Sequence, residues 1–264
     1  MIGLPAQLTD PAPASPPYGA TPVLEVNGVS VRFGGIDAVA DVSFAALAGH
    51  VTGVIGPNGA GKTTTFNVIT GLQAPTQGRV VIGGHDVSRR PPHKRARLGV
   101  ARTFQRLEVF GSLTAYENIL AAAEFHRSWS HERRAPREIA AEIIAQVGLG
   151  SVVDARVDSL PTGLARLVEL GRALATRPRL LLLDEAGSGL SHSETEALGD
   201  LMLDLAAGGM AILLVEHHME LVMRVCSRIY VLDFGRVIAE GSPAEIRTDP
   251  VVQAAYLGVE DPAP

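Results

Sequence analysis

The chain has 264 residues, 46% hydrophobic and 19% charged, with a formal net charge of −5. This length supports one large domain or two small ones with an ample hydrophobic core. The negative balance argues against a chain-wide basic surface for nucleic acid, and the single cysteine, Cys226, excludes an intrachain disulfide.

The two ends of the chain differ in composition from the middle. Residues 1–22 contain six prolines among alanine and small polar residues, without the basic start and apolar centre of a secretion signal. We interpret them as a disordered tail and residues 259–264 as a second, short tail. No apolar run reaches the roughly 18 residues that a membrane-spanning helix needs. Any membrane role is therefore predicted to depend on a partner.

The first third of the chain contains three predicted strands and one helix. Residues 24–33 alternate between apolar and polar side chains, residues 50–56 are a short apolar run ending in glycine, and residues 78–87 resemble a strand and turn. Residues 62–72 have helical spacing, and residues 89–97 form a basic loop or a short helix.

The middle of the chain is predicted to be helical. Two helical patterns lie within residues 114–148, joined by a charged segment, and a third begins at Leu164. The block of about residues 107–175 interrupts a pattern in which strands and helices otherwise alternate. It therefore predicts a helical subdomain inserted into the core.

The last third returns to alternation. Residues 179–185 and 210–218 are apolar runs typical of buried parallel strands, and residues 192–207 between them form an amphipathic helix. Residues 228–241 predict a hairpin, and the C-terminal helix is predicted to be interrupted at Pro250. Strands that alternate with helices indicate an α/β fold with a parallel sheet.

The stretch GPNGAGKT follows an apolar strand and opens a helix, the context of a phosphate-binding loop. Its glycines let backbone N–H groups point at phosphate oxygens, its lysine supplies a cation, and its threonine hydroxyl can bind Mg²⁺. A glycine turn that only caps the helix is the alternative. The candidate nucleotide-binding residues here are Gly56, Pro57, Asn58, Gly59, Ala60, Gly61, Lys62, Thr63 and Thr64.

Two carboxylates end the apolar run LLLLDE. Asp184 closes the predicted strand, where it can hold Mg²⁺ directly or through water, and Glu185 is a candidate base for an attacking water. The alternative is a carboxylate pair that only caps the following loop. The phosphate-binding loop upstream favours the catalytic interpretation.

The stretch SLPTGLARLVEL, residues 159–170, combines a loop with the start of a helix. Apolar side chains recur at helical spacing from Leu164 onward, so residues 159–164 are predicted to be the loop. These residues alone leave two interpretations open. The first is a plain helix start, and the second is a helix N-terminus that binds a phosphate of another molecule.

These motifs, in this order and at this spacing, resemble the ATP-binding-cassette (ABC) transporter ATPases from about residue 23 to residue 258. The resemblance implies one P-loop NTPase domain with a parallel-sheet core, an antiparallel β subdomain and the inserted helical subdomain. It also implies ATP and Mg²⁺ as cofactors. A second ATP-binding subunit, either the same chain or a paralogous one, is implied as a partner.

The resemblance assigns roles to three further residues. Gln105 in ARTFQ matches the glutamine that reaches Mg²⁺ and the attacking water, and His217 in LVEHHM matches the histidine that contacts the γ-phosphate. Phe33 in VRFGG matches the aromatic side chain that stacks on adenine. Taken singly, each has a plain alternative: a helix-end glutamine, a solvated histidine and a core phenylalanine.

The resemblance also interprets the loop at residues 159–164. Family members carry Leu-Ser-Gly-Gly-Gln where this chain has Leu-Pro-Thr-Gly-Leu, and that signature binds the γ-phosphate of ATP held by the opposing subunit. Thr162 and Gly163 are therefore implied to bind nucleotide. Pro161 brings neither a hydroxyl nor an N–H, and Leu164 replaces the usual glutamine.

Longer stretches of the sequence resemble one subgroup of the ABC ATPases in particular. GPNGAGKTTTFNVITG, EHHMELVM and VVQAAYLG resemble the ATPase subunits of importers for branched-chain amino acids and of related importers for amides or urea. Proline at the second signature position is common in these relatives. Ala186, after the Asp-Glu pair, and Ser191, where many members carry aspartate, depart from the family pattern.

The function implied is that of an ATP-hydrolysing importer subunit that dimerises on ATP and drives a separate membrane permease, with branched-chain amino acids as the expected cargo. An external solute-binding protein would deliver the cargo, and the subunit would sit at the cytoplasmic face of the cell membrane, without nucleic acid as a partner. Residues 107–113, LEVFGSL, are expected to dock on the permease.

Besides the ATPase subunit of a urea or amide importer, two other functions remain as alternatives. One is a non-transport ABC ATPase acting on ribosomes or DNA, a class that usually shows tandem cassettes or long coiled-coil inserts. The other is a nucleotide-dependent interaction module with slow turnover.

Overall fold

The computed structural model describes residues 22–257. The predicted C-terminal tail, and all of the predicted N-terminal tail except Pro22, lie outside the described residues. Pro22 instead begins the first strand, opposite Leu47. Proline fits there because the first residue of a strand does not have to donate a hydrogen bond to the sheet.

Strands and helices alternate along most of the described chain. The strands are β1 (Pro22–Phe33), β2 (Ile36–Leu47), β3 (Val51–Ile55), β4 (Gln77–Ile82), β5 (His85–Asp86), β6 (Val100–Arg102), β7 (Leu180–Asp184), β8 (Ala211–Val215), β9 (Arg228–Asp233) and β10 (Arg236–Gly241). The helices are α1 (Lys62–Thr70), α2 (Pro92–Ala96), α3 (Ala115–Arg127), α4 (Pro136–Gln146), α5 (Thr162–Ala175), α6 (His192–Ala207), α7 (Met219–Val225), α8 (Pro243–Thr248) and α9 (Pro250–Leu257).

The larger sheet has the strand order β10-β9-β3-β8-β7-β6, and its neighbours are parallel except for the hairpin of β9 and β10. Every residue of β3, β7 and β8 is buried. In β7, Leu181 and Leu183 pack into one hydrophobic cluster while Leu180 and Leu182 pack into another, so both faces of the sheet are covered. The predicted α/β fold with a parallel core is confirmed.

The smaller sheet is antiparallel, with the order β2-β1-β4-β5. Its strand β2 was not predicted from the sequence pattern. Asp41 has a left-handed φ of 56°, and the pairing register with β1 shifts beside it. This bulge interrupts the period-two alternation by which a strand is recognised.

Helices α3, α4 and α5 follow β6 and precede β7 in the chain, and they pack on one another. Gly171 permits a close approach of α5 to α3, because a Cβ there would lie 2.7 Å from Cδ1 of Ile119. α5 begins at Thr162 and not at Leu164 as predicted. The first turn of the helix carries threonine and glycine, so the apolar spacing begins only after it.

The short strand β6 was also not predicted, because three residues are too few to show a periodicity. It pairs in parallel with β7. Residues 103–105 therefore leave the sheet beside Asp184. Since β3, β7 and β8 run parallel to it, the segments that follow all four strands meet at one edge of the sheet.

The remaining predictions at the C-terminus agree with the structure. β9 and β10 form the predicted hairpin. Asp249 separates α8 from α9, which begins at Pro250, so the predicted interruption of the C-terminal helix is present.

The basic segment at residues 89–97, predicted to be a loop or a short helix, contains the short helix α2.

Candidate functional site

A glycine-rich loop connects β3 to α1 and forms one wall of the candidate site. Gly56, Gly59 and Gly61 have φ values of 150°, 81° and 100°. A Cβ on Gly56 would lie 2.0 Å from the carbonyl oxygen of Leu232, and a Cβ on Gly61 would lie 2.6 Å from that of Ala38. The loop therefore requires glycine at both ends for steric reasons.

The loop is wrapped around the ammonium group of Lys62. Its Nζ donates to the carbonyl oxygens of Gly56 at 2.6 Å and Pro57 at 2.9 Å, and the residue is 7% exposed. Burial lowers the pKa of Lys62, although Glu185 and Asp184 act in the opposite direction. A cation is thus held at the centre of the loop, close to two carboxylates.

A cavity of about 190 Å³ lies between this loop and the ends of β7 and β8. Its lining includes most of the residues predicted from the sequence to bind nucleotide or to act in catalysis. The residues that line it are Ala38, Asn58, Gly59, Ala60, Gly61, Lys62, Thr63, Thr64, Gln105, Glu185, Val215 and His217.

Three of these side chains meet at one carboxylate oxygen. Nε2 of Gln105 donates to Oε1 of Glu185 at 3.3 Å, and Nε2 of His217 lies 3.1 Å from the same oxygen. Glu185 has a left-handed φ of 54°, and its backbone N–H donates to the carbonyl of Val215 at 2.9 Å. Such a backbone conformation is strained for a residue other than glycine and is often found at functional sites.

Asp184 lies behind this cluster and is 2% exposed. Its Oδ2 forms an ion pair of 2.8 Å with Arg102, and its backbone N–H donates to the hydroxyl of Thr103 at 3.2 Å. Neither partner was predicted from the sequence, because 82 residues separate Arg102 from Asp184 and only the pairing of β6 with β7 brings them together.

Glu216 links the segments that follow β7 and β8. It is 5% exposed and accepts the backbone N–H groups of Gly187 at 2.7 Å and His217 at 3.2 Å. Burial raises the pKa of Glu216, while these hydrogen bonds act in the opposite direction. The carboxyl group of Glu216 therefore links Gly187, in the loop after Glu185, to the backbone of His217, whose side chain contacts Glu185.

Thr162 and Gly163 lie outside the cavity, at the start of α5. A Cβ on Gly163 would lie 2.9 Å from Cδ2 of Leu190 and 3.0 Å from the carbonyl oxygen of Gly189. Pro161 occupies the N-cap position without a side-chain cap. The start of α5 is thus packed against the loop after β7, with Thr162 exposed.

Comparison with known proteins identifies the family. A family model described as ABC transporter matches residues 39–188. The chain belongs to the ABC transporter family. A second model, described as Branched-chain amino acid ATP-binding cassette transporter, matches residues 236–262.

Relatives of this ABC ATPase are named for different transport systems. The chain is 39% identical over 250 residues to the high-affinity branched-chain amino acid transport ATP-binding protein BraF of Pseudomonas aeruginosa, covering 90% of this chain and 98% of that one. It is 34% identical over 236 residues to the lipopolysaccharide export system ATP-binding protein LptB of Haemophilus influenzae, covering 89% and 97%.

A solved structure supports the same assignment. The ADP conformation of an ATP-binding cassette of an ABC transporter has a TM-score of 0.78 and 29% identity, and the match covers 90% of this chain and 100% of that one. The predicted family, fold class and ATPase activity are thereby confirmed. The roles of individual site residues and the predicted domain boundaries stay predictions.

Phe33, which was predicted to bind the nucleotide of this ABC ATPase, lies apart from the cavity lining. Phe33 is the last residue of β1, pairs with Ile36 across a turn and is 50% exposed. Gly56 and Pro57 also lie outside the lining, but their carbonyl groups hold Lys62. The structure therefore brings the phosphate loop, Gln105, Glu185 and His217 together and leaves Phe33 at the surface.

Side chains of helix α5 form hydrogen bonds with the backbone of the segment that contains Gln105. Glu169 accepts the backbone N–H groups of Phe104 at 3.1 Å and Glu108 at 3.3 Å, and it pairs with Arg166 at 3.0 Å. Arg166 in turn donates to the carbonyl oxygens of Phe104 and Gln105. The backbone around Gln105 is therefore fixed by a buried ion pair from the helix that starts at Thr162.

The donor atoms near the cavity suit Mg²⁺. They are the Thr63 hydroxyl, the Asp184 carboxylate and the Gln105 amide oxygen, and Mg²⁺ prefers oxygen ligands. In residues 22–257, no group of three or more His, Cys, Asp or Glu side chains is arranged to hold a metal ion. Mg²⁺ is usually held by one or two carboxylates together with substrate phosphates, so the three oxygen ligands fit a Mg²⁺ that a nucleotide also binds.

The same range of residues contains no helix long and apolar enough to cross a membrane.

Proposed function

We propose that this ABC ATPase binds ATP with Mg²⁺ in the cavity and hydrolyses it to drive a membrane permease for branched-chain amino acids. The observation that carries the proposal is the meeting of Gln105 and His217 at Oε1 of Glu185, beside the phosphate loop. The match of residues 236–262 to the branched-chain amino acid model supports the choice of cargo.

The phosphate loop and Lys62 would hold the phosphates of ATP. The loop supplies backbone N–H groups and the start of α1, and the Lys62 ammonium can exchange its two carbonyl partners for phosphate oxygens, which are stronger acceptors. Thr63, Asp184 and Gln105 would hold the Mg²⁺, which when bound neutralises charge on the phosphates. Phe33, which is half-exposed at the end of β1, would stack on adenine.

Glu185 would accept a proton from the attacking water. Its carboxylate is already oriented by Gln105 and His217, so a water bound between this carboxylate and the γ-phosphate would find its base in place. His217 would then contact the γ-phosphate with the ring that now faces Glu185. The strained backbone at Glu185 holds the side chain at the cavity.

A second ATP-binding subunit would complete each site. Thr162 is exposed at the start of α5, whose first N–H groups have no side-chain cap, and these groups lie outside the chain's own cavity. They would bind the γ-phosphate held by the second subunit, which is either another copy of this chain or a paralogous one. Each nucleotide would then lie between the two subunits.

The permease would dock on the segment that follows Gln105. Phe110 is 51% exposed and lies 4.5 Å from the guanidinium of Arg172. Because residues 104–108 are fixed to α5, a change at Gln105 would reach this surface through a rigid connection. The subunit would lie at the cytoplasmic face of the membrane through this contact, and an external solute-binding protein would supply the permease.

Reconstitution with a candidate permease tests the proposal. ATP hydrolysis should be stimulated in vesicles that contain a branched-chain amino acid permease and its binding protein, and leucine should accumulate only with ATP. The 34% identity to LptB makes lipopolysaccharide export the second candidate. Stimulation by lipopolysaccharide export subunits and none by the amino acid permease would favour that alternative.

A further inference from the structure

The candidate metal ligand Asp184 is itself one partner of a buried ion pair. Arg102 ends β6, Asp184 ends the neighbouring β7, and Nη2 of Arg102 lies 2.8 Å from Oδ2 of Asp184. The two side chains are 5% and 3% exposed. One of the two oxygens of Asp184 is therefore already bound to a cation.

The guanidinium of Arg102 is fixed from several sides. Its Nη1 donates to Oδ1 of Asn67 in α1 at 2.7 Å, and its central carbon lies 5.4 Å and 4.9 Å from the ring centroids of Phe66 and Phe104. Its Nε is buried without a hydrogen-bond partner. A buried ion pair can often be replaced by apolar side chains without loss of folding stability, so stability alone gives a poor reason for this pair of charges.

The arginine balances the charge of Asp184. Lys62 and Arg102 provide two positive charges, and Asp184 and Glu185 provide two negative ones. Without Arg102 this group would carry one net negative charge. Such a group would attract a free divalent cation and repel the phosphates of ATP.

We propose that Arg102 is a positioning residue that takes the place of Mg²⁺ at Asp184 until nucleotide arrives, so that metal and ATP enter the site together. The inference rests on the proposed ATP–Mg²⁺ function of the cavity. A metal ion on Asp184 would share one carboxylate with the guanidinium. The repulsion between these two cations is offset only when the phosphates bring additional negative charge.

A measurement on the unmodified chain tests the first half of the proposal. Mn²⁺ replaces Mg²⁺ as a probe, and the EPR signal of the free ion reports how much is bound. Without nucleotide, the dissociation constant for Mn²⁺ should be weaker than about 1 mM, the weak end of the range for divalent-cation sites. Saturable binding of one Mn²⁺ at micromolar concentration would overturn the proposal without recourse to any variant.

The variant Arg102→Gln tests the second half. Glutamine removes the charge but can still hydrogen-bond to Asp184 or Asn67. Mn²⁺ affinity without nucleotide should rise about tenfold, and ATP affinity in the absence of divalent cations should fall by a similar factor, the order expected for one charge at contact range. A merely structural role would weaken both affinities, so the gain in metal binding is the distinguishing result.

Two controls accompany this variant. Arg102→Lys keeps the charge and should keep the weak Mn²⁺ binding of the unmodified chain. Arg228→Gln removes one charge from β9, at the other side of the sheet, where Arg228 pairs with Glu240 at 2.9 Å. It should change neither affinity, which shows that net charge alone is not the cause.

The outcomes separate the inference from the function on which it rests. A folded Arg102→Gln variant with unchanged or weaker Mn²⁺ binding overturns the role of Arg102. If the unmodified chain does not bind ATP with Mg²⁺, the proposed function itself fails. If Arg102→Gln does not fold, the Mn²⁺ titration of the unmodified chain decides.

Discussion

The edge of the larger sheet and the start of α5 both face the proposed chemistry, but they are built differently. At the sheet edge, Gln105 and His217 both contact Glu185, and these three residues line one cavity with the phosphate loop of the same chain. At the start of α5, Thr162 is exposed and the first turn has no side-chain cap. We therefore propose that the first region binds and orients a nucleotide within one chain, whereas the second acts on a phosphate that another molecule supplies.

The two regions also differ in how closely they follow the family pattern. The phosphate loop keeps every glycine that its geometry requires, and a side chain at Gly56 or Gly61 would collide with backbone. The start of α5 carries Pro161 and Leu164 in place of serine and glutamine. Variants in each region can therefore test whether the phosphate loop and the start of α5 act on the same nucleotide or on different ones.

The largest effect is expected from Glu185→Gln. Loss of the proposed base should lower the rate of ATP hydrolysis by about 10²–10⁴-fold, while the amide can still contact Gln105 and His217. ATP binding should remain, and a nucleotide-bound dimer should accumulate on size exclusion. Glu240→Gln, which removes a carboxylate from a surface pair, is the control. Hydrolysis within threefold of the unmodified rate in Glu185→Gln would remove Glu185 from the mechanism.

Lys62→Ala should have the next largest effect, and it acts on binding. The variant loses a charge-assisted contact to phosphate, so ATP affinity should fall by about 100-fold, as measured by calorimetry or a fluorescent analogue. Circular dichroism should show that the chain still folds. Unchanged affinity in the folded variant would place the nucleotide elsewhere.

Several features of this site were predictable because their residues are adjacent in sequence. The loop from Gly56 to Thr63 encodes its own turn, and Asp184–Glu185 follows an apolar run that marks a buried strand. The contacts of Arg102 with Asp184 and of Glu169 with residues 104–108 were not predictable. They depend on the pairing of β6 with β7 and on the position of α5, neither of which leaves a local pattern.

The fold shows the same limit. The parallel core was predictable because β3, β7 and β8 consist mostly of apolar residues, as expected for strands that are buried along their whole length. β2 was missed because the bulge at Asp41 shifts the register. The first turn of α5 was missed because Thr162 and Gly163 carry no apolar side chain that could show a helical period.

Gly163→Asp tests the start of α5 and needs a control for steric effects. Any side chain at Gly163 meets Leu190 and Gly189 at about 3 Å, so Gly163→Ala reports this steric effect alone. Aspartate adds a negative charge where a phosphate would bind, and we expect a further loss of hydrolysis of about tenfold or more. ATP binding by the isolated chain should be the same in both variants.

The two substitutions at Gly163 distinguish the interpretations of this loop. If aspartate and alanine reduce hydrolysis equally, the start of α5 is only a helix cap. In a mixed dimer with an unmodified partner, Gly163→Asp should spare the nucleotide on its own chain and impair that of the partner. Loss at its own site would show that the loop acts within one chain.

The smallest effect on the isolated chain is expected from Phe110→Asp, at the proposed permease surface. Phe110 is half-exposed and lies beside Arg172, so the new carboxylate gains a cationic neighbour and folding should be preserved. ATP binding and basal hydrolysis should stay within twofold, because Gln105 remains fixed by Glu169 and Arg166. Co-purification with the permease, or stimulation of hydrolysis by it, should be lost. Phe125→Asp is the matched control, since Phe125 on α3 is 71% exposed and should leave both properties intact. Equal loss in both variants would mean that charge on the helical block, and not this surface, disrupts the complex.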